Sequence, residues 1–355
     1  LSLSIPFFLA CGGENVQNSS QAVDGRQLDS LRKKTQVVLE SLQKQIQKDP
    51  EDYSLYQDRS ELYYAMDSLD RSLEDIDRAI RLYDKGPDLY YWKGFLSFVG
   101  EDTAAAKRAY LRARDLGSQN PEVFYQLGQI YFFQGKYDKA LTQYEEAGKY
   151  GPDQALYPFA KGFLEESREN YGQAKKHYLS SLEIDSTFDK ALLRLHEIYL
   201  SYHRNEREAM KYNDQLLRNQ LGHPLGNYNE GNYQLRRAQR FKNGNDLEGY
   251  ATALNEAILH FTIAVDNDPD FALAYYARGM AYFDGRQRIG EALEDFRKTV
   301  ELRPGYAPGH FMLGSIYEGT GDLSSALTHY QEAYRLKPEG EGFEKAVKDV
   351  KARLK

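Results

Sequence analysis

Cysteine is almost missing from this chain of 355 residues, which has one, at position 11. A single thiol excludes an intramolecular disulfide. A surplus of positive charge is missing too, with 46 Lys and Arg against 53 Asp and Glu and a formal net charge of −7. That balance gives no support to binding of nucleic acid or to general attraction to an anionic membrane. Beyond the first ten residues there is no long apolar run, and a stretch of that length is too short to span a bilayer. Motifs with a catalytic mechanism are also absent: the seven histidines are scattered, and there is no H-E-x-x-H, no cysteine pair and no glycine-rich phosphate loop. Asp and Glu are abundant, but sequence does not separate a catalytic carboxylate pair from a solvated surface. The reading is of a chain that is not an enzyme and has no cofactor and no metal.

What the chain has is tyrosine, 29 residues of it, within an aromatic content of 13%. Recurring packing positions explain this better than a platform for stacking bases. Residues 121–154, PEVFYQLGQIYFFQGKYDKALTQYEEAGKYGPDQ, place Leu127, Gly128 and Tyr131, then Ala140, Tyr144 and Ala147, then Pro152. Gly128 lacks a side chain where two helices cross closely, and Ala140 keeps the second helix tight against the first. Tyr131 and Tyr144 fill the space between, and Pro152 sits where the second helix stops. One such hairpin cannot bury its own apolar face, so neighbours are expected on both sides. Counting in steps of about 34 residues from Tyr53 keeps phase through Pro87, Pro121 and Ala155 and reaches Asp189. The units vary. The first has Ser60 and Ser72 at the small-residue positions, the fourth has Glu165 in the tyrosine place, and the fifth has His196 for glycine and needs one extra residue to place Ala209.

This L-G-x-x-Y and A-x-x-x-Y-x-x-A spacing resembles the tetratricopeptide repeat (TPR) family, over Tyr53 to Gly340. The resemblance implies an all-α TPR superhelical solenoid of about eight helix-turn-helix repeats with flanking capping helices. The boundaries read as a capping helix over 27–52, repeats 1 to 5 over 53–222, an enlarged degenerate repeat over 223–271, two further repeats over 272–340 and a C-terminal capping helix over 341–355. In the enlarged repeat, five Gly or Pro breaks surround a short helical run whose first helix holds Leu235, Ala238 and Phe241. Its insertion, 223–255, is alternatively a hinge or a partner-binding loop. Arg236, Arg237, Arg240 and Lys242 form a local basic patch there, read as a solvated helix face. His196 and His203 are seven residues apart and share a helix face, but His196 holds a packing position, which argues against a metal site.

The row opens LSLSIPFFLACGGEN. Residues 1–10 read as the apolar part of an export signal, and 11–26 as a flexible polar tether. Ala10-Cys11-Gly12 resembles the cleavage box of bacterial lipoproteins, which implies lipidation at Cys11, a membrane partner through the lipid anchor, and a place in the bacterial cell envelope at the outer membrane. Phe8 and Leu9 depart from the residues usual at the two preceding places.

In the family, the first helix of each repeat lines a concave groove. Carried over by position, the groove holds Tyr91, Phe95, Phe98 and Val99, then Tyr125, Gln129, Phe132 and Phe133, then Phe159 and Phe163. An aromatic strip at positions that repeat packing does not require suits a protein partner, an apolar helix or an extended peptide. The resemblance thus implies a non-catalytic scaffold in envelope assembly or secretion. The same strip alternatively suits a glycan or lipid in a carrier or sensor. Some family members grip a C-terminal carboxylate with Lys and Asn in this groove. Here those places hold Gln57, Tyr91, Tyr125, Phe159 and Leu193, and Glu61, Phe95, Gln129, Phe163 and Glu197, so that clamp is not present.

Overall fold

The computed structural model describes residues 25–285 and 288–354. The export segment, Cys11 and most of the tether lie outside the described residues. Two compact units divide the chain after Pro152. In the first, α1 (Gly25–Lys48) precedes three hairpins: α2 (Tyr53–Ala65) with α3 (Leu69–Leu82), α4 (Pro87–Val99) with α5 (Thr103–Asp115), and α6 (Pro121–Phe133) with α7 (Tyr137–Tyr150). The second holds five more. They are α8 (Leu156–Ser167) with α9 (Tyr171–Ile184), α10 (Asp189–Glu197) with α11 (Glu206–Asn219), α12 (Pro224–Asn243) with α13 (Leu247–Asn267), α14 (Ala272–Asp284) with α15 (Ile289–Leu302), and α16 (Ala307–Gly319) with α17 (Leu323–Leu336). A last helix, α18 (Phe343–Arg353), follows. Among the described residues there is no strand.

Local chemistry sets the helix ends. At α6 the Asn120 side chain accepts from the Glu122 amide at 3.0 Å, and Pro121 takes the first helical position, where no amide is needed. The turns between paired helices require one residue in the left-handed region. Gly135 and Gly321 supply it without strain, while Asp67, Glu101 and Glu169 adopt it at equivalent places.

Six of the eight hairpins are closed by a close approach between a glycine and a ring. A Cβ on Gly94 would stand 2.6 Å from Tyr110, so only glycine lets α4 and α5 come this near. The same glycine and ring pairing recurs at Gly128 and Tyr144, Gly162 and Tyr178, Gly231 and Phe261, Gly279 and Phe296, and Gly314 and Tyr330. Ala106, Ala140, Ala174, Ala209, Ala257, Ala292 and Ala326, at the other small-residue position, are completely buried.

Two hairpins solve the same contact differently. In the first, the Ser60 hydroxyl donates to the Ser72 carbonyl at 2.8 Å and the Ser72 hydroxyl donates to the Ser60 carbonyl at 2.7 Å, while Trp92 Nε1 of the next hairpin donates to Ser60 Oγ at 2.9 Å. These bonds satisfy polar groups that have no access to water. In the fifth, His196 stands where glycine is usual, and Nδ1 lies 3.0 Å from the Ala209 carbonyl, to which it donates. The ring that would have collided with it is replaced by Asn213, itself buried and donating to the Gly226 carbonyl at 3.0 Å. The extra residue in this repeat has a structural cause: α10 continues into a π-helical turn, Ile198–Tyr202, which takes up one residue more than an α-helix.

The enlarged repeat differs from its expectation. Residues 223–271 form no broken segment or hinge loop. α12 and α13 are continuous helices of 20 and 21 residues, against 13 and 14 in α14 and α15. Each gains seven residues, close to two turns, so the added length keeps the same face toward its partner. Gly226 and Gly231 are packing sites inside α12, against Leu217 and Phe261, not breaks. At the ends, α1 buries Leu39, Leu42 and Ile46, whereas Val38 is 50% exposed. α18 covers α17 with Phe343, Val347 and Val350, while Leu354 falls past the last helical residue and is exposed.

Substituting Gly94→Ala is expected to cost about 1–3 kcal/mol by overpacking, and much less in a Tyr110→Leu background. A double-mutant cycle in urea checks this. A second expectation concerns His196. Burial holds its imidazole below the usual range; the Ala209 carbonyl opposes this and Arg236 adds to it. The folded chain therefore binds fewer protons than the unfolded one between the two values. The stability contribution is complete above the unfolded-state value of about 6.5 and is lost as pH falls from there toward the folded-state value. Urea midpoints of wild type and His196→Gln should diverge below about pH 6.5 and run parallel above it.

Candidate partner-binding surface

Residues 88, 91, 95 and 98 of α4, and 122, 125, 129 and 132 of α6, follow the spacing that brings side chains onto one helical stripe. On α4 the stripe reads Asp88, Tyr91, Phe95 and Phe98, and on α6 Glu122, Tyr125, Gln129 and Phe132, with Phe133 beside it. The structure divides these residues into two kinds. Phe98 and Phe133 are 41% and 81% exposed, and Tyr91, Gln129 and Phe132 are half-buried. Phe132 and Phe133 meet edge to face with centroids 5.6 Å apart.

Phe95 and Tyr125, expected in the groove, are buried, and this corrects their assignment as contact residues. Phe95 stacks on Trp92 at 5.0 Å and meets Tyr64 edge on at 5.1 Å, so the preceding hairpin closes over it. Tyr125 lies against Tyr144 at 6.0 Å. In the second unit the same correction applies to Phe159, which is buried between Tyr178 and Phe188, both 5.4 Å away. Phe163 remains 36% exposed, with the Arg194 guanidinium 5.3 Å over its ring.

Charge on this surface was not anticipated. In α2, α4 and α6 the only cations are Arg59 and Lys93, and both are held by α3, Arg59 within its own hairpin and Lys93 from the next one. Arg59 Nε donates to Asp75 at 2.6 Å and Lys93 Nζ to Asp77 at 2.5 Å. The carboxylates of the same helices, Asp58, Glu61, Asp88 and Glu122, have no ion-pair partner among the described residues. Burial raises Glu122 above the usual carboxylate range, with a 2.7 Å bond from Gln126 acting the other way. Burial also raises Glu61, opposed by Gln57 and reinforced by Asp58. Asp88 and Glu122 occupy the place three residues before Tyr91 and Tyr125, so the repeat count that found the aromatics could have found them.

The basic residues of α12 are neutralised. Arg236 and Arg240 both hold Glu206, at 2.6 and 3.0 Å, Arg237 meets Glu256 at 3.3 Å, and Lys242 meets Asp284 at 2.7 Å. An open cleft of about 270 Å³ lies at the tip of this hairpin between Arg237, Phe241, Asp246 and Thr252. Among the described residues no group of three or more His, Cys, Asp or Glu is placed to hold a metal ion, and no helix is long and apolar enough to cross a membrane.

Hairpins closed for the most part by glycine and ring contacts define a helical-repeat protein. Residues 121–154 match the family described as tetratricopeptide repeat, and a second family of that description matches 253–307 and 285–341. These segments of the chain are tetratricopeptide repeats. It is 32% identical over 258 residues to Hsp70-Hsp90 organizing protein 3 of Arabidopsis thaliana, covering 71% of this chain and 43% of that one. To the Hsp70-Hsp90 organizing protein of Triticum aestivum it is 36% identical over 101 residues, 28% of this chain and 17% of the relative. The chain thus spans less than half the length of these relatives. The solved C-terminal part of a TPR repeat-containing protein from Cytophaga hutchinsonii superposes with a TM-score of 0.50 at 16% identity, covering 72% of this chain and 98% of that one. This likeness is one of fold.

The two kinds of aromatic respond differently to truncation. Phe95→Ala is expected to cost about 3 kcal/mol or more, whereas Phe133→Ala should change stability by less than about 0.5 kcal/mol. Thermal and urea denaturation of both variants checks the division.

Proposed function

We propose that this protein is a membrane-tethered, non-catalytic scaffold whose first-helix surface, around Phe98, Phe132 and Phe133, binds a helix or extended peptide of a protein partner. The observation that carries this is the exposure of large aromatic side chains at repeat positions where packing does not hold them, since such patches on folded chains mark binding sites. Protein partners also fit the repeat family and relatives named for organizing Hsp70 and Hsp90. The tether is a lipid on Cys11, supported by the apolar segment and the Ala10-Cys11-Gly12 box in the sequence. With that anchor, the work lies at the bacterial envelope, at the outer membrane, in assembly or secretion.

The test is a crosslinking pull-down from native envelope with wild type and a Phe98→Ala, Phe133→Ala variant. The two exposed positions leave the fold intact, which circular dichroism verifies. A protein captured by the wild type and lost by the variant supports the surface. Unchanged capture moves the site elsewhere, and a glycan or lipid retained through purification in place of a protein favours a carrier. Detergent phase partitioning of wild type and Cys11→Ser tests the anchor in the same preparation: only the wild type should enter the detergent phase.

A further inference from the structure

The partner's chemistry can be narrowed from what the first-helix surface presents. Its aromatic edge lies at the C-terminal end of the stripe, with Phe98 on α4 and Phe132 and Phe133 on α6, and Tyr64 at the same level on α2. Its acidic edge lies toward the N-terminal end, with Asp88 on α4 and Glu122 on α6, while on α2 Asp58 and Glu61 stand further along, level with Trp92 and Phe95. Ten residues separate Asp88 from Phe98, or about 15 Å along a helix axis. A helix with its side chains is about 10–12 Å across, so one laid across the repeats covers most of that span, and the long stems of Lys or Arg at its edge reach the rest.

The two edges make different demands. The aromatic edge gains by covering apolar area. The surface also carries four carboxylates with no internal cation, while the two cations of the same helices are committed to Asp75 and Asp77. Asp58 and Glu61 lie close enough to repel one another, and an incoming cation relieves this. An acidic or purely apolar segment would leave these carboxylates uncompensated, or covered and unpaired, which is costly.

We propose that the first-helix surface of the N-terminal unit takes an amphipathic helix with one apolar edge and one cationic edge of Lys or Arg. This rests on the surface reading given above and specifies what that surface selects. Asp58, Glu61, Asp88 and Glu122 receive the cations, and Phe98, Phe132 and Phe133 receive the apolar side chains.

Fluorescence anisotropy with the full chain and three labelled synthetic helices of about 18 residues tests it. One peptide patterns Leu with Lys, one patterns Leu with Glu identically, and one replaces Leu by Gln while keeping Lys. The Leu and Lys peptide should bind at least about tenfold more tightly than either other. Glu61→Gln with Glu122→Gln should weaken it roughly three- to tenfold, Phe98→Ala with Phe133→Ala should weaken it further, and Glu145→Gln, an exposed carboxylate on α7, should do nothing. Equal binding of the Leu and Glu peptide, lost on removing Phe98 and Phe133, overturns the cationic partner and leaves the surface standing. Equal binding of the Gln and Lys peptide, insensitive to Phe98 and Phe133, overturns both, since the net charge of −7 alone then explains it. Absence of binding by all three overturns the cationic partner, and the envelope pull-down then decides the surface separately.

Discussion

The structure depends on how closely two helices of a hairpin can approach. Where Gly94 lies under Tyr110, or Gly128 under Tyr144, the ring of one helix takes the space a side chain of the other would have filled. A buried alanine holds the remaining contact short. A few small residues and one ring thus complete the interior of six of the eight hairpins. The first helix is left with a stripe that the hairpin uses only in part: Tyr125 lies against Tyr144, Phe95 is taken over by the neighbouring hairpin, and Phe98, like Phe133 beside the stripe, stays open.

The contact is a constraint on volume and polarity more than on residue identity. Ser60 and Ser72 meet it by exchanging hydroxyl-to-carbonyl bonds, and the arrangement also holds Trp92 from the next hairpin. His196 and Asn213 meet it by trading places in size: the large group moves to the first helix and the small one to the second. Such exchanges are viable because the serine hydroxyls, His196 Nδ1 and the Asn213 amide all find partners.

Legibility followed the range of the contacts. Gly128, Ala140 and Tyr144 answer to one another within a single hairpin, so their spacing alone revealed the fold. Burial of Phe95 depends on Tyr64 and that of Phe159 on Phe188, each from an adjacent hairpin. Their repeat positions matched those of groove residues, and only packing between repeats distinguished them. The basic run of α12 was visible, but its partner Glu206 lies 30 residues before Arg236 and 34 before Arg240. Gly226 and Gly231 were read as breaks because glycine is a poor helix former in isolation, whereas here they admit Leu217 and Phe261. The surplus residue before Ala209 was countable, and the π-helical turn supplies its physical form.

The lengthening of α12 and α13 has a further consequence. Gly231 and Phe261 pair at the base as glycine and ring do in five other hairpins, so all the added length lies toward the turn. Seven residues in each helix carry that turn about 10 Å beyond the level set by a standard hairpin. Lys242 and Tyr250 brace the raised portion against Asp284 of α14 at 2.7 and 2.8 Å. A flat object approaching this edge of the second unit would meet the crest of the sixth hairpin first, and the turns beside it would be held at a fixed stand-off.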